Sequence, residues 1–137
     1  MTFSPPEPIT YDPLTRTDFV RYAGASGDFN PLHHDLEFAK AAGLPDVMGH
    51  GMLSAGLLAS AVVRWFGPDV MRCFAVRFLS PVWPDDVLTA RCEIAAERDG
   101  ENGKRLADLV LSLSRSVDDV VVTGTACVAI NMEGERR

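Results

Sequence analysis

With 137 residues, 47% of them apolar, the chain can build one packed core and is too short for two ordinary domains. A formal charge of −6 and a pI near 4.9 argue against a nucleic-acid binder, which presents a basic face. The three cysteines, Cys73, Cys92 and Cys127, have no short metal-ligand spacing and lie in strand-like segments, so they read as small buried hydrophobes of a reducing cytoplasm.

No charged flank precedes an apolar run at the N-terminus, so no signal peptide is expected. The most apolar stretch, Gly51 to Val63, has 13 residues, well short of the ~20 that span a bilayer.

In chain order, residues 1–8 carry three prolines and read as an extended arm, and Ile9 to Leu14 as a short edge strand. Thr15-Arg16-Thr17-Asp18 has the pattern of a capping box, a hydroxyl with an acid three residues on, and starts a helix that ends between Gly24 and Gly27. Pro31 disfavours helix at Asn30, so Asp28 to His33 is an irregular loop. Asp35 caps a second short helix, Leu36 to Ala42, stopped by Gly43. From Gly51 to about Phe66 the side chains are apolar almost all round, the pattern of a helix surrounded by protein, with Gly67-Pro68 as its end. Four strand patterns follow, over 71–79, 87–94, 105–116 and 120–130, joined by Asp- and Gly-rich turns. Short joins imply an antiparallel meander, and one buried helix against such a sheet is an α+β fold, with a polar tail over 132–137.

Two runs hold the reactive chemistry. In Ser26-Gly27-Asp28-Phe29-Asn30-Pro31-Leu32-His33 a carboxylate and an imidazole lie five residues apart on one loop and can face one pocket. In His50-Gly51-Met52, Gly51 opens the long helix, and its unpartnered N–H at the positive end of the helix dipole can donate to a developing oxyanion. A base, an acid and an oxyanion donor suit proton chemistry beside a carbonyl. Which of Asp28 and His33 is the base is open at this level. His33, His34 and Asp35 could be read with His50 as metal ligands, but adjacent histidines on a loop point apart and no ligand pair has a helical spacing, so no metal is expected. Arg64, Arg72, Arg77 and Lys104 are candidates for carrier phosphates, though each singly reads better as solvated charge.

The run Tyr22-Ala23-Gly24 through His33, then Gly43-Leu44 and His50-Gly51-Met52-Leu53, resembles the hydratase motif of the MaoC-like, hotdog-fold enoyl-thioester hydratases and dehydratases. Arg77-Phe78-Leu79-Ser80-Pro81-Val82, followed by Asp85 and Asp86, is similar to that family's strand after the central helix. The run from Leu14 to Met52 further resembles the motif-bearing subunit of the actinobacterial type II fatty-acid synthase dehydratase. The resemblance covers roughly Leu14 to Ile130 and implies a single hotdog domain, an antiparallel sheet wrapped around the helix near 51–66. It implies that Asp28 and His33 hold the attacking or departing water and that the Gly51 N–H polarises the thioester carbonyl. Asn30, His50 and Met52 then orient loop and substrate. It also implies a CoA or acyl-carrier-protein thioester as substrate, no bound cofactor, an (R)-3-hydroxyacyl product, and a dimer, homo- or hetero-, with a second hotdog chain. The runner-up is an acyl-binding subunit that needs a partner or does not catalyse.

Overall fold

The computed structural model describes residues 3–131; the tail over 132–137 and the first two residues of the arm lie outside the described residues. Helix α1 (Arg16–Ser26) begins as its sequence dictates. The Thr15 hydroxyl accepts from the Asp18 N–H at 3.1 Å and the Asp18 carboxylate accepts from the Thr15 N–H at 2.8 Å, so two of the orphan amides of the first turn are satisfied. Gly27 closes it in the left-handed conformation, φ 76°, which a side chain would resist. Asp35 caps α2 (Leu36–Ala41) by accepting from the Phe38 N–H at 3.0 Å.

Helix α3 (Gly51–Phe66) follows with the bounds read from the sequence. The strands are β1 (Ile9–Thr10), β2 (Met71–Phe78), β3 (Thr89–Asp99), β4 (Lys104–Ser116) and β5 (Asp119–Asn131). They form one antiparallel sheet in the order β1-β3-β4-β5-β2. Alternate residues of β4 and β5, Leu109, Leu111 and Leu113 with Val122, Ala126 and Val128, point to α3 and bury Leu58, Ala61 and Val62 against it. Leu58 has no exposed surface, so its truncation to alanine is worth about 2–5 kcal/mol. At Gly124 helix and sheet approach closely: a Cβ there would lie 3.0 Å from the Ala75 carbonyl oxygen and 3.3 Å from Leu58 Cδ2. This is the α+β arrangement of a hotdog, a sheet curled about one helix.

Several expectations are corrected. The four long strands are not a single meander: β3, β4 and β5 follow one another, but β2 lies beyond β5 and pairs with it rather than with β3, because β2 and β3 are joined by the long segment over 79–88 and not by a tight turn. Helix α3 is not covered on every side. The sheet takes the face with Ser54, Leu58, Ala61 and Val62, while Met52, Gly56, Ser60 and Val63 are exposed, because one sheet layer covers only one side of a cylinder. Cys73 is not buried. It sits on β2, one of the two edge strands, and its side chain points away from α3.

One loop ties the fold to the site. The Arg115 guanidinium donates to the Pro81 carbonyl at 2.8 Å, the Ser80 hydroxyl at 3.1 Å, Asp86 at 2.9 Å and Asp119 at 2.6 Å, which pins the chain over 80–86. That loop holds the segment before α1 through Asp85 N–H to Leu14 O, 2.7 Å, and holds the start of α3 through Gly49 N–H to Val82 O, 2.9 Å.

Candidate active site

The segment Met48-Gly49-His50 is the spine on which the site is assembled. Its Met48 N–H donates to Leu32 O at 2.9 Å, and its Gly49 N–H to the pinned loop. Gly49 lies flat between Val82 and Phe19; a Cβ there would be 2.5 Å from Val82 Cγ2 and 3.0 Å from Phe19 Cε1, so only glycine fits. The loop that carries Asp28 and His33 is shaped by its own short polar groups. Asp28 Oδ1 accepts from the Asn30 N–H at 3.3 Å, Asn30 Oδ1 accepts from the Leu32 N–H at 3.1 Å, and Pro31 then starts a 3-10 turn, Pro31–His33. Asn30 is thus a cap of the turn that delivers His33.

His33 is buried, and its Nδ1 faces the Met48 carbonyl oxygen. A carbonyl only accepts, so Nδ1 carries a proton, and in the neutral ring the lone pair is on Nε2. That Nε2 lies 3.6 Å from Asp28 Oδ2, whose carboxylate is half-exposed. His50, also buried, donates from Nε2 to the Asp28 main-chain carbonyl at 3.0 Å, and its Nδ1 has no partner among the described residues. The two imidazoles stack, centroids 3.6 Å apart and planes 23° apart, and the Tyr22 ring meets His50 edge-on at 4.9 Å. Together, His50 touches both members of the Asp28–His33 pair.

Gly51 is the first residue of α3, so its N–H has no acceptor within the helix, and it is exposed beside the pair. The Phe78 ring forms the near wall, 3.4 Å from where a Gly51 Cβ would be. Met52, at 61% exposure, projects outward from the same turn and touches neither catalytic candidate in a polar contact. His34 is exposed and reaches only the Phe29 carbonyl, at 3.3 Å. A groove of about 440 Å³ runs between α1 and α3, lined by Tyr11, Leu14, Tyr22, Leu53 and Leu57 and by the charged Asp12, Asp18 and Arg21. Tyr22 belongs both to this groove and to the packing around His50.

Ligand atoms of Asp28, His33 and His50 lie within 4.8 Å of one another, a separation at which a metal could be considered. Ring lone pairs lie in the ring plane, however, and two near-parallel imidazoles 3.6 Å apart aim theirs into offset planes, which is a poor start for one shared ion. The geometry instead favours a carboxylate and an imidazole open to a common small molecule. The sequence had marked Asp28, His33, Asn30, His50 and Gly51, and the fold brings all five to one end of α3. It had no signal for the Tyr22–His50 contact or the Arg115 pin, which arise from residues far apart in the chain.

The chain is similar to known proteins in both sequence and fold. The MaoC-like domain family matches residues 2–114. Similar sequences include the peroxisomal enoyl-CoA hydratase 2 of Arabidopsis thaliana, 39% identical over 46% of this chain and 21% of that protein, and the 3-hydroxyacyl-thioester dehydratase X of Mycobacterium tuberculosis, 38% identical over 56% of this chain and 27% of that protein. The chain therefore spans about a quarter or less of these relatives' length. Among solved structures, the ChsH1–ChsH2 complex from Mycobacterium tuberculosis superposes with TM-score 0.81 at 25% identity, covering 96% of this chain and 100% of that one. The (R)-hydratase from A. caviae involved in PHA biosynthesis gives 0.79 at 27% identity, covering 94% and 98%. With fold, motif and comparison in agreement, the chain belongs to the MaoC-like hydratase and dehydratase family.

Proposed function

We propose that this protein adds water to trans-2-enoyl thioesters of CoA or acyl-carrier protein to give (R)-3-hydroxyacyl thioesters, or runs the reverse dehydration. The observation that carries the reading is the approach of Asp28 Oδ2 to His33 Nε2 at 3.6 Å beside the exposed N-terminus of α3. That separation is longer than a direct hydrogen bond and leaves each group an open side for one water.

Hydration needs a proton removed from water as it attacks Cβ, a proton delivered to Cα, and a partner for the enolate-like charge on the thioester oxygen. The Asp28–His33 pair takes the proton from the water held between its members and returns one to Cα. His33 is fit to receive it because Met48 fixes its proton on Nδ1. The Gly51 N–H meets the thioester oxygen, an interaction whose loss typically costs about 3 kcal/mol of transition-state stabilisation. His50 holds the pair in place, Asn30 holds the turn under His33, and Met52 flanks the thioester. The groove between α1 and α3 takes the acyl tail. No metal or other cofactor enters any of these steps.

A second chain of the same fold is part of this reading. The outer edge of β2 is unpaired among the described residues, and Met52, Val63 and Phe78 lie exposed along it and on the open face of α3. A similar structure is itself a complex of two different named chains, which keeps a heteromer as real an option as a homodimer. A non-catalytic or partner-dependent acyl-binding subunit of a heteromeric dehydratase is therefore the alternative. Among the described residues no helix is long and apolar enough to cross a membrane.

The test is the loss of enoyl-thioester absorbance when the purified protein meets trans-2-enoyl-CoAs of increasing chain length, with chiral analysis of the product. Formation of the (R)-3-hydroxyacyl thioester supports the reading; a folded protein silent on every chain length, alone and with carrier-protein substrates, overturns it.

A further inference from the structure

Away from the site, β2 and β5 place two cysteines directly opposite each other, Cys73 and Cys127. Opposed residues of an antiparallel pair have Cα atoms about 4.5–5.5 Å apart, inside the 4.4–6.8 Å that a disulfide spans. The ladder is also irregular next to Cys73, with a register shift between Met71 and Cys73, so this end of the edge strand departs from regular pairing. Both thiols lie on the sheet face turned away from α3. Gly124 faces Leu58 of the helix, and three residues further along β5 Cys127 points to the opposite side, in one row with Asp108 on β4.

Their surroundings differ in a useful way. Cys73 is exposed, whereas Cys127 is covered, 6% accessible, with the Arg98 guanidinium 3.5 Å from its sulfur. Arg98 is itself held by Asp108 at 3.1 Å. Cys92, the third thiol, is buried on β3 and its thiol is pushed up to about 11, chiefly by burial and then by the neighbouring Glu93 carboxylate.

We propose that Cys73 and Cys127 form a peroxide-oxidisable dithiol, closing to a disulfide that staples the edge strand β2 to β5. The Cys73 thiolate attacks one oxygen of hydrogen peroxide, the O–O bond breaks, and Cys73 becomes a sulfenic acid while the other oxygen leaves and is protonated to water. The Cys127 sulfur then attacks the sulfenyl sulfur, the S–O bond breaks, and the departing hydroxide takes the Cys127 proton to leave as a second water. Two thiols lose two electrons and one peroxide gains them. Burial, with the Asp108 carboxylate, raises the Cys127 thiol, so Cys127 acts second, as the resolving thiol, and Arg98 steadies the thiolate as it forms. A partner strand added at the outer edge of β2 would pair backbone groups and leave this face of the sheet open.

The experiment oxidises the fully reduced chain with hydrogen peroxide, alkylates the remaining thiols and maps the peptides. The expected result is no alkylated thiol in the oxidised native chain and one, Cys92, once it is unfolded, with a mass 2 Da lower before alkylation and a Cys73–Cys127 linked peptide that dithiothreitol releases. In Cys127→Ser, which leaves the fold and Cys73 in place, peroxide should carry Cys73 past the sulfenic acid to the sulfinic acid instead. The proposal is overturned if the wild type keeps three alkylatable thiols, if Cys73 over-oxidises at the same rate in wild type and Cys127→Ser, or if the link formed joins Cys73 of two chains.

Discussion

The rings of His33 and His50 lie stacked, centroids 3.6 Å apart, and His50 also donates to the main-chain carbonyl of Asp28, so one buried histidine fixes both halves of the candidate acid–base pair. His50→Phe keeps a flat ring and deletes the donor; His50→Gln keeps a donor and deletes the stack. Both should lower kcat on an enoyl-CoA by about 10- to 100-fold with little change in KM, the signature of misplacement rather than lost binding. Steady-state kinetics alongside a Tm for each variant checks this.

Gly51 offers a test of the oxyanion donor that spares the helix. Proline is well tolerated at the first helical position, and His50, with φ −62° and ψ 135°, already has the conformation a following proline requires. Gly51→Pro should leave Tm within a few degrees of wild type and cut kcat/KM by about 10²–10³, the usual cost of losing one such donor. Unchanged kinetics in a folded Gly51→Pro would remove the N–H from the mechanism.

Gly49 should tolerate nothing larger. Gly49→Ala drives a methyl onto Val82 and Phe19 and is expected to cost about 1–3 kcal/mol in urea unfolding. Since the nearest atom belongs to Val82, combining it with Val82→Ala should recover part of that loss, a coupling on the order of 1 kcal/mol in a double-mutant cycle.

Arg115 gives the stability a definite pH dependence. Its hydrogen bonds and charge hold the Asp119 carboxyl below the usual carboxylate range. A carboxylate depressed in the folded state contributes stability that is complete above the ordinary aspartate value, ~3.9, and is lost as pH falls through the lower folded value. The Tm difference between wild type and Arg115→Met should therefore be largest near neutrality and shrink below about pH 4. A remainder should persist in acid, because the bonds to Pro81 O and Ser80 Oγ do not depend on a carboxylate. Melting curves from pH 7 to pH 2.5 on both proteins measure this.

Much of this was legible from local chemistry. The Thr15–Asp18 box, the Asp35 cap and the Gly67 stop depend on residues within a turn of one another, and their helices start or end where the sequence places them. The site loop was legible for the same reason, since Asp28, Asn30 and Pro31 shape it within five residues. What escaped depends on distance along the chain. The open face of α3 was hidden because an apolar residue looks the same whether the sheet or another chain covers it, and Cys73 was misplaced because strand order decides which strand is the edge. The first strand is only Ile9–Thr10, shorter than the pattern over 9–14: past it, Tyr11 N–H still reaches Leu88 O, Pro13 has no N–H to donate, and Leu14 N–H bonds to Asp86 O.

The central claim is that Asp28 and His33 act on one water. The most direct measurement is hydration of a trans-2-enoyl-CoA by the wild type, Asp28→Asn and His33→Ala, each shown to be folded. If the account holds, the wild type turns over and each variant loses at least about a hundredfold in kcat, the scale of a general acid or base. A wild type that turns over while either folded variant keeps its rate would contradict it.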